Sequence, residues 1–445
     1  MSDPERKPRR ACGAGAFFVS GGRGEAGLTA RECHQTGLTA VFCDFLSSSR
    51  FDDSMLSSKC VDNHMEEDLA VKPYDKSGAV RYHAGRFPPE NLRHERIMPA
   101  LCNAAASLGR YDAKITGMVN SDLFLAPLWR QDALASSRME GTISTIEEIY
   151  RLESEEDAGT PDPYREARND AVETYLYMRA LRLGQEFLEK GGTLSEYLIR
   201  SLHQRLLSFG RGAQKRPGQY KAKENYIGDE RTGVIHYVPI PPERLGPAMN
   251  DLVAFIGNDE VIPILRTAIA HVEFEALHPF EDGNGRVGRM LIPLMLWRLG
   301  VLSQPHFFVS GYFETNKAEY VDRMRAVSAG DDWTGWVIFF LNALHEQARV
   351  NIRTADQILG LHADMREQFR EILNSQYHDQ ALDFVFASPV FRNDQFVRRS
   401  GIPASSARTL SRRLAEAGLL RMVRPASGRR AALYAFDPLL DLLRI

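Results

Sequence analysis

The sequence predicts a mainly α-helical protein that carries a β-hairpin and ends in a small α+β domain. Two amphipathic or apolar segments, about 262–277 and 287–299, are typical of helices and flank a turn rich in glycine and charge. Residues 217–239 contain two β-prone runs around a Gly/Asp-rich turn, the pattern of a hairpin. After residue 381 the pattern is a helix-turn-helix followed by two further short runs.

The turn between the two helical segments holds residue types that bind a polyphosphate. Its sequence is His278-Pro-Phe-Glu-Asp-Gly-Asn-Gly-Arg-Val-Gly-Arg289. Gly283–Gly285 can point successive N–H groups into one concavity at a helix N-terminus, where anions bind well. Asp282 is placed to hold a hard cation such as Mg²⁺.

The same turn supplies phosphate clamps and a base. Arg286 and Arg289 are three residues apart and share a helix face, so their guanidinium groups could grip distal phosphate oxygens. His278 follows the apolar helix, and histidine is the residue type that titrates near neutral pH. His278 is therefore the candidate general base.

At all its defining positions the run resembles the signature of the Fic family, His-Pro-Phe-x-Asp/Glu-Gly-Asn-Gly-Arg-x-x-Arg. The resemblance implies a Fic-type helical core that transfers AMP from ATP to a Ser, Thr or Tyr hydroxyl of a protein, which could be the protein itself. It implies His278 as the base and Asp282 as the Mg²⁺ ligand. Ser310–Tyr320 resembles the family segment that lines the base and ribose, although Val321 replaces a second tyrosine. The implied nucleotide contacts are Gly283, Asn284, Gly285, Arg286, Val287, Gly288, Arg289, Asn316 and Tyr320.

A second segment, Ser136-Ser-Arg-Met-Glu-Gly141, resembles the inhibitory helix motif Ser/Thr-x-x-x-Glu-Gly/Asn of many Fic proteins. The resemblance implies an inhibitory helix over about 126–150 in which Glu140 pairs with Arg289 and occupies the site of the ATP γ-phosphate. Such a partly buried pair is much stronger than a surface pair. In the alternative interpretation, Ser136 or Ser137 caps a helix whose first turn contains Glu140.

The predicted hairpin corresponds in Fic proteins to the flap, to whose edge a target segment adds by main-chain pairing. The family's Asn-Trp-Ile-Gly is Asn-Tyr-Ile-Gly here, at 225–228. A hairpin without a partner is the alternative. The implied target contacts are Tyr226, Ile227, Gly228 and Tyr237.

Changes in composition divide the chain into five parts. The first part is rich in Gly, Ser and Arg without periodicity, so we expect disorder there, or a mis-assigned start with true initiation at Met65. The C-terminal part resembles a winged-helix domain. The expected parts are 1–64, an N-terminal helical region at 65–163, the Fic core at 164–350, a linking helix at 351–380 and the winged helix at 381–445.

Arginines of the winged-helix pattern could contact DNA phosphates. Winged helices also dock on proteins or dimerise, and solvated arginines are the third interpretation. The candidates are Arg408, Arg412 and Arg413 on the second helix, with Arg429 and Arg430 at the wing tip.

Composition favours a cytoplasmic protein without a membrane partner. The formal net charge of −3 gives no global attraction to nucleic acid, and no apolar run is long enough to span a bilayer. The five cysteines have neither disulfide nor zinc-site spacing. Three further residues are expected to be non-catalytic: His271 packed or hydrogen-bonded, His236 exposed and Glu281 solvated.

Three functional alternatives stay open. The same core could remove AMP, with the inhibitory glutamate orienting a water, or could transfer another phosphate-containing group. The chain could also be a DNA-binding regulator that senses nucleotide, although a sensor needs no base and His278 is intact. A homodimer, the target protein and the trigger that displaces Glu140 stay open as well.

Overall fold

Fifteen α-helices, one 3-10 helix and six short strands make up the part of the chain that the computed structural model describes. This part comprises residues 74–118, 121–160, 162–229, 231–428 and 430–443, without the side chains of 121–124 and 211. The mainly α fold class is confirmed. The expectations for 1–64, for Met65, for Arg429 and for Cys12, Cys33, Cys43 and Cys60 lie outside the described residues.

Three helices form the N-terminal region: α1 (His94–Thr116), α2 (Ser121–Met139) and α3 (Ile146–Asp157). The single helix expected over about 126–150 is instead α2 and α3 with a turn between them. Gly141 has φ +83°, which ends the helix. Thr145 and Glu148 form a capping box that starts the next one. Ser136 and Ser137 therefore lie in the last turns of α2 and cap neither helix.

The core packs around two buried helices that the predicted turn joins. Proline starts α7 at its first position, and Gly283, with φ +76°, precedes α8. The second helix begins three residues earlier than the pattern predicted, because Asn284 and Gly285 are already helical. The core elements are α4 (Asn169–Glu189), α5 (Glu196–Leu206), the 3-10 helix (Gly210–Gln214), α6 (Pro242–Ile256), α7 (Pro263–Leu277), α8 (Asn284–Arg298), α9 (Ser310–Thr315), α10 (Lys317–Gly330) and α11 (Trp333–Leu373).

The predicted hairpin is present and gains a third strand. Strands β2 (Ile227–Asp229) and β3 (Val234–Val238) are antiparallel, with a register shift between Ile227 and Gly228. Strand β1 (Val80–Arg81) pairs in parallel with the other edge of β3. The sheet order β1-β3-β2 thus places β3 in the centre and leaves β2 and the two-residue β1 as the edge strands of this sheet. His236 on β3 is exposed, as expected.

The C-terminal part contains helices and strands where the pattern predicted a helix-turn-helix and a wing. Helix α11 continues without a break through residue 350, where the core was expected to end. The domain contains α12 (His378–Ala387), β4 (Val390–Arg392), α13 (Asn393–Arg399), α14 (Ala404–Glu416), β5 (Arg421–Arg424), β6 (Leu433–Ala435) and α15 (Asp437–Leu443). Its strands form an antiparallel sheet in the order β4-β6-β5.

Ion pairs join this domain to α3. Glu155, with a side chain only 7% exposed, accepts hydrogen bonds from Arg392 Nη1 at 3.1 Å and Arg424 Nη2 at 2.8 Å. Arg430 at the wing pairs with Glu166 at 3.2 Å. The expectation that Arg430 meets DNA phosphates is therefore not supported, because a carboxylate of the same chain occupies it.

The arginines of α14, the second helix of the motif, lie at the protein surface. Arg408, Arg412 and Arg413 on α14 are all exposed. Arg412 lies 3.7 Å from Glu416, and Arg413 donates to the Leu373 carbonyl at 2.8 Å.

In the described part of the chain, none of the helices is both long and apolar enough to cross a bilayer.

We expect Glu155→Gln to lower the free energy of unfolding by about 2 kcal/mol, because Arg424 loses its carboxylate partner and Arg392 keeps only Asp394. Urea denaturation measures this. Asp379→Asn is the matched control, since Asp379 also accepts two bonds from an arginine, Arg366, but in an exposed pair. It should cost clearly less. Equal losses in the two variants would contradict the role of Glu155.

Candidate active site

The candidate site lies where the C-terminus of α7, the loop 279–283 and the N-terminus of α8 meet. His278 ends α7 in a left-handed conformation, with φ +47° and ψ +61°. Its Nδ1 is buried and has no hydrogen-bond partner among the described residues. Burial, and after it the charge of Lys221, lower the pKa of His278 to about 4, against the opposing effect of Glu140. The imidazole is therefore neutral at pH 7 and able to accept a proton.

Asn284 holds the loop rather than facing a ligand. Its Oδ1 accepts from the Phe280 N–H at 2.8 Å, and its Nδ2 donates to the Phe280 carbonyl at 2.9 Å. In this arrangement the Asn284 side chain is used inside the loop, and a phosphate contact by Asn284 stays a prediction that fits its main chain better. The Val287 side chain is also turned into the core.

His203 on α5 supports the loop from behind, and sequence reasoning missed it. Its Nδ1 accepts from the Gly218 N–H at 2.8 Å, so Nε2 must carry the proton that it donates to the Asp282 carbonyl at 3.0 Å. The ring stacks on Phe280 with centroids 3.8 Å apart. Burial lowers the pKa of His203 to about 4, so both bonds are kept at neutral pH.

Lys221 and Asn225 contact the same loop from the segment before β2. Lys221 Nζ donates to the Leu277 carbonyl at 3.1 Å and to Asn225 Oδ1 at 2.8 Å. Asn225 Nδ2 donates to the carbonyls of His278 at 3.2 Å and Phe280 at 2.9 Å. Sequence reasoning missed these roles, because nothing in the segment shows which carbonyls it will face.

Arg289 is paired with Glu140, as the inhibitory motif implied. Arg289 Nη2 donates to Glu140 Oε1 at 2.6 Å, and its Nε donates to Ser136 Oγ at 2.8 Å. The Arg289 side chain is 2% exposed and that of Glu140 is 37% exposed. Burial alone would raise the pKa of Glu140, but the charge and hydrogen bond of Arg289, together with the charges of Arg286 and His278, lower the pKa.

Gly285 allows this close approach. A Cβ at Gly285 would lie 2.3 Å from Glu140 Oε1, well inside van der Waals contact. The carboxylate therefore rests on the first turn of α8, where the helix presents free N–H groups. Glu140 occupies part of the anion site that the sequence predicted.

Arg286 and Asp282 form the other half of the site. Arg286 is buried, with Nη1 3.4 Å from Glu173 and Nη2 3.6 Å from Asp282 Oδ1. Its Nε has no hydrogen-bond partner among the described residues. The Asp282 side chain is 44% exposed, and its Oδ1 also accepts from the Gly283 N–H at 2.6 Å.

The donor set at Asp282 fits Mg²⁺ bound together with phosphates. Mg²⁺ commonly takes one or two carboxylates, with water and phosphate oxygens as its other ligands. Within the described residues no group of three or more His, Cys, Asp or Glu side chains could hold a metal by itself. The neighbouring Glu281 is exposed, as expected.

Glu275 is a second carboxyl group beside Arg289 that sequence reasoning missed. Its Oε1 is buried and has no hydrogen-bond partner in the described part of the chain. Burial raises the pKa of Glu275 to about 7, although the charge of Arg289 opposes this. A Cβ at Gly288 would lie 2.2 Å from that oxygen, so this glycine makes room for the carboxyl group.

The two residues expected at the nucleotide base and ribose are placed differently. Tyr320 is 2% exposed. His271 Nδ1 donates to the Gly288 carbonyl at 3.2 Å, so the other ring nitrogen, Nε2, is the acceptor. The Tyr320 hydroxyl donates to this Nε2 at 2.8 Å. The structure thus places Tyr320 behind the site surface, and confirms His271 as a packed, hydrogen-bonded residue. Asn316 is half-buried at the junction of α9 and α10 and donates to the Tyr312 carbonyl.

The flap residues divide into two groups. Ile227 and Gly228 lie exposed on β2, and the Tyr226 ring lies under Lys76 Nζ, 3.8 Å from its centroid. Tyr237 is buried and donates to the Ala276 carbonyl at 3.2 Å. The Tyr237 side chain thus points into the core, and a contact of Tyr237 with a target stays a prediction that its burial does not favour.

Comparison with known proteins gives two family matches. Residues 193–296 match the Fic/DOC family, and residues 98–186 match the Fic/DOC family N-terminal region. The chain is 30% identical over 136 residues to the protein adenylyltransferase fic-1 of Caenorhabditis elegans, covering 30% of this chain and 24% of that protein. It is 30% identical over 95 residues to a probable protein adenylyltransferase of Aquifex aeolicus, covering 21% of this chain and 27% of that protein. The matched region thus spans about a quarter of these relatives.

Among solved structures, a Fic family protein from Desulfovibrio desulfuricans matches with a TM-score of 0.49 and 19% identity. The match covers 78% of this chain and 98% of that one.

We expect the His203 bonds to make stability depend on pH. The pKa of His203 is about 4 when folded against 6.5 for an ordinary histidine, so the unfolded chain binds the extra proton between these values. The contribution of the neutral His203 to the free energy of unfolding is fully present above pH 6.5 and is lost as the pH falls below that value. Between pH 7 and pH 5 the loss should be about 2 kcal/mol.

Urea denaturation at several pH values checks this. His203→Gln should flatten the decline relative to the wild type, whereas His236→Gln, at an exposed histidine on β3, should leave it unchanged. Parallel curves for the wild type and His203→Gln would show that His203 is not held neutral.

Proposed function

We propose, on the premise that this chain belongs to the Fic/DOC family, that it is a protein adenylyltransferase. It would transfer AMP from ATP to a Ser, Thr or Tyr hydroxyl of a protein. The observation that carries the proposal is the joining, in one turn, of the neutral His278 to the anion site at the start of α8. The relatives named protein adenylyltransferase support the same activity.

His278 would act as the general base. The target oxygen attacks the α-phosphorus, its proton passes to the neutral imidazole, and diphosphate leaves on the opposite side. The lowered pKa of His278, caused first by burial, keeps the imidazole unprotonated before the reaction. Its neighbours Phe280 and Asp282 are fastened by Asn284 and His203, so the base and the anion site keep a fixed separation.

Charge on the phosphates would be stabilised by groups that are already oriented. The N–H groups of the first turn of α8 point toward the anion site, and the buried Arg286 has an Nε donor without a partner among the described residues. Asp282 would hold Mg²⁺, which supplies charge neutralisation between phosphate oxygens.

Glu140 would inhibit the enzyme by occupying the place of the γ-phosphate on Arg289. The 2.6 Å contact supports this, because a buried guanidinium cannot bind the carboxylate and a phosphate in the same orientation. The turn that carries Glu140 is held in place: Lys317 Nζ donates to the Met139 carbonyl at 2.5 Å, and Asp170 accepts from the Ile143 N–H at 3.0 Å. Activation therefore requires this turn to move.

The target would bind as an added strand on β2. Both β1 and β2 are edge strands of this sheet, but β1 has only two residues, so β2 is the edge strand whose main-chain groups would pair with a partner. Ile227 and Gly228 lie exposed on that strand. This arrangement would place the target hydroxyl with little demand on the target's sequence.

The proposal predicts that Glu140→Gly and Glu140→Gln both raise the transfer of label from α-labelled ATP to protein by about 10- to 100-fold, because a charge-assisted bond of about 1.5–3 kcal/mol is removed. Glu140→Gln keeps the backbone freedom of the wild type, so it separates charge from chain flexibility. Adding His278→Ala to either variant should abolish transfer.

Glu281→Gln is the control, since this exposed glutamate lies in the same loop. It should behave as the wild type does. No label with any variant, although ATP binds, would reject the adenylyltransferase proposal. Release of AMP from pre-labelled protein would then favour the reverse reaction, and label from another nucleotide would favour a different transferred group.

A further inference from the structure

We propose that Lys221 and Asn225 are positioning residues that fix the base His278 and couple its position to the flap. The inference rests on the proposed function, because it takes His278 as the base. Together the two residues bind the four consecutive carbonyl groups of residues 277–280.

The backbone of His278 needs such support. A residue with a Cβ in the left-handed region carries strain, and His278 has φ +47° and ψ +61°. The His278 N–H still donates to Phe274 at 3.1 Å, as the last bond of α7. Beyond this point the carbonyls have left the helix, and buried carbonyls require other donors.

The segment 221–225 provides those donors. Lys221 Nζ binds the Leu277 carbonyl at 3.1 Å, and the Lys221 N–H binds that of Pro279 at 2.9 Å. Asn225 Nδ2 binds the carbonyls of His278 at 3.2 Å and Phe280 at 2.9 Å. The 2.8 Å bond between Lys221 Nζ and Asn225 Oδ1 joins the two side chains into one unit.

Lys221 can keep its bonds in either protonation state. The residue is 4% exposed, and burial lowers the pKa of its ammonium group to about 7. A neutral amine retains two N–H groups, which is the number that Leu277 and Asn225 require. When charged, Lys221 also lowers the pKa of His278, whereas Glu140 after α2 and Asp282 in the loop raise it.

The unit also links the base to the proposed target site. Asn225 lies two residues before Ile227, the first residue of β2. A strand that adds to β2 therefore orders the backbone next to the residue that holds the His278 carbonyl. Target binding would thus hold the base in position rather than only bring the hydroxyl near.

The test compares Lys221→Met and Asn225→Asp with Lys223→Met, a control at an exposed lysine two residues away. All three are made in the Glu140→Gly protein. The first two variants should lower kcat for label transfer by about 10- to 100-fold, because a displaced base loses its attack geometry. The KM for ATP should stay within about twofold, since the phosphates are bound by other residues.

A second readout does not depend on transfer. Carbethoxylation of His278, followed by mass spectrometry from pH 4 to pH 8, reports when the imidazole becomes neutral. Lys221→Met removes a positive charge and Asn225→Asp adds a negative one, so both should raise the pH midpoint while Lys223→Met leaves it unchanged. Asn225→Asp keeps the side-chain shape and decides the question if Lys221→Met does not fold.

The two readouts separate the two proposals. Absence of transfer by the Glu140→Gly parent itself would reject the adenylyltransferase function, while the His278 midpoints would still test the positioning role. Unchanged kcat and an unchanged midpoint in both folded variants, relative to Lys223→Met, would overturn the inference. Equal increases in KM without a fall in kcat would overturn it too, since they would indicate nucleotide binding instead.

Discussion

The buried guanidinium group of Arg289 is the constraint on which the site depends. Its side chain is 2% exposed, and an unpaired charge at such depth is too costly to keep. The fold therefore favours an anion at Arg289. Glu140 supplies one from the end of α2, and a nucleotide phosphate would supply the other. In the proposed scheme an exchange between the two anions would avoid an unpaired Arg289, so nucleotide binding and displacement of Glu140 would be coupled.

The C-terminal domain is connected through α3 to the turn that carries Glu140. The turn 140–145 runs directly from Glu140 into α3, and α3 is held by Arg130 of α2 through Glu153 at 2.6 Å. On its other side, Arg392 and Arg424 of the winged helix bind Glu155. The turn is thus tied at both ends. Movement of Glu140 has to come from the turn itself or from a shift of α3 together with the winged helix, and this gives that domain a structural role without DNA.

The part of the site that lies in one stretch of sequence could be predicted, and the part assembled from distant segments could not. The segment 278–289 forms one local turn, so its spacing already contained the geometry of the base and the two arginines. Gly141 also offered a local sign, since a glycine after Glu140 is typical of a helix end. The supports at His203 and Lys221 come from distant segments whose approach depends on packing. Tyr237 is an example on β3, where side chains alternate between two faces and the sequence motif alone does not show which face is buried.

The face of α8 that carries Arg289 has room for two carboxyl groups near its guanidinium group. Gly285 and Gly288 lack a Cβ on that face, which lets Glu140 and Glu275 approach closely. The charge of Glu140 helps to keep the pKa of Glu275 raised to about 7, after the larger effect of burial, so a large share of Glu275 is a neutral acid near neutral pH. A phosphate in the place of Glu140 would carry the same sign of charge and would also favour the protonated form of Glu275. In the proposed scheme that neutral form would compete less with ATP for Arg289 than a carboxylate would.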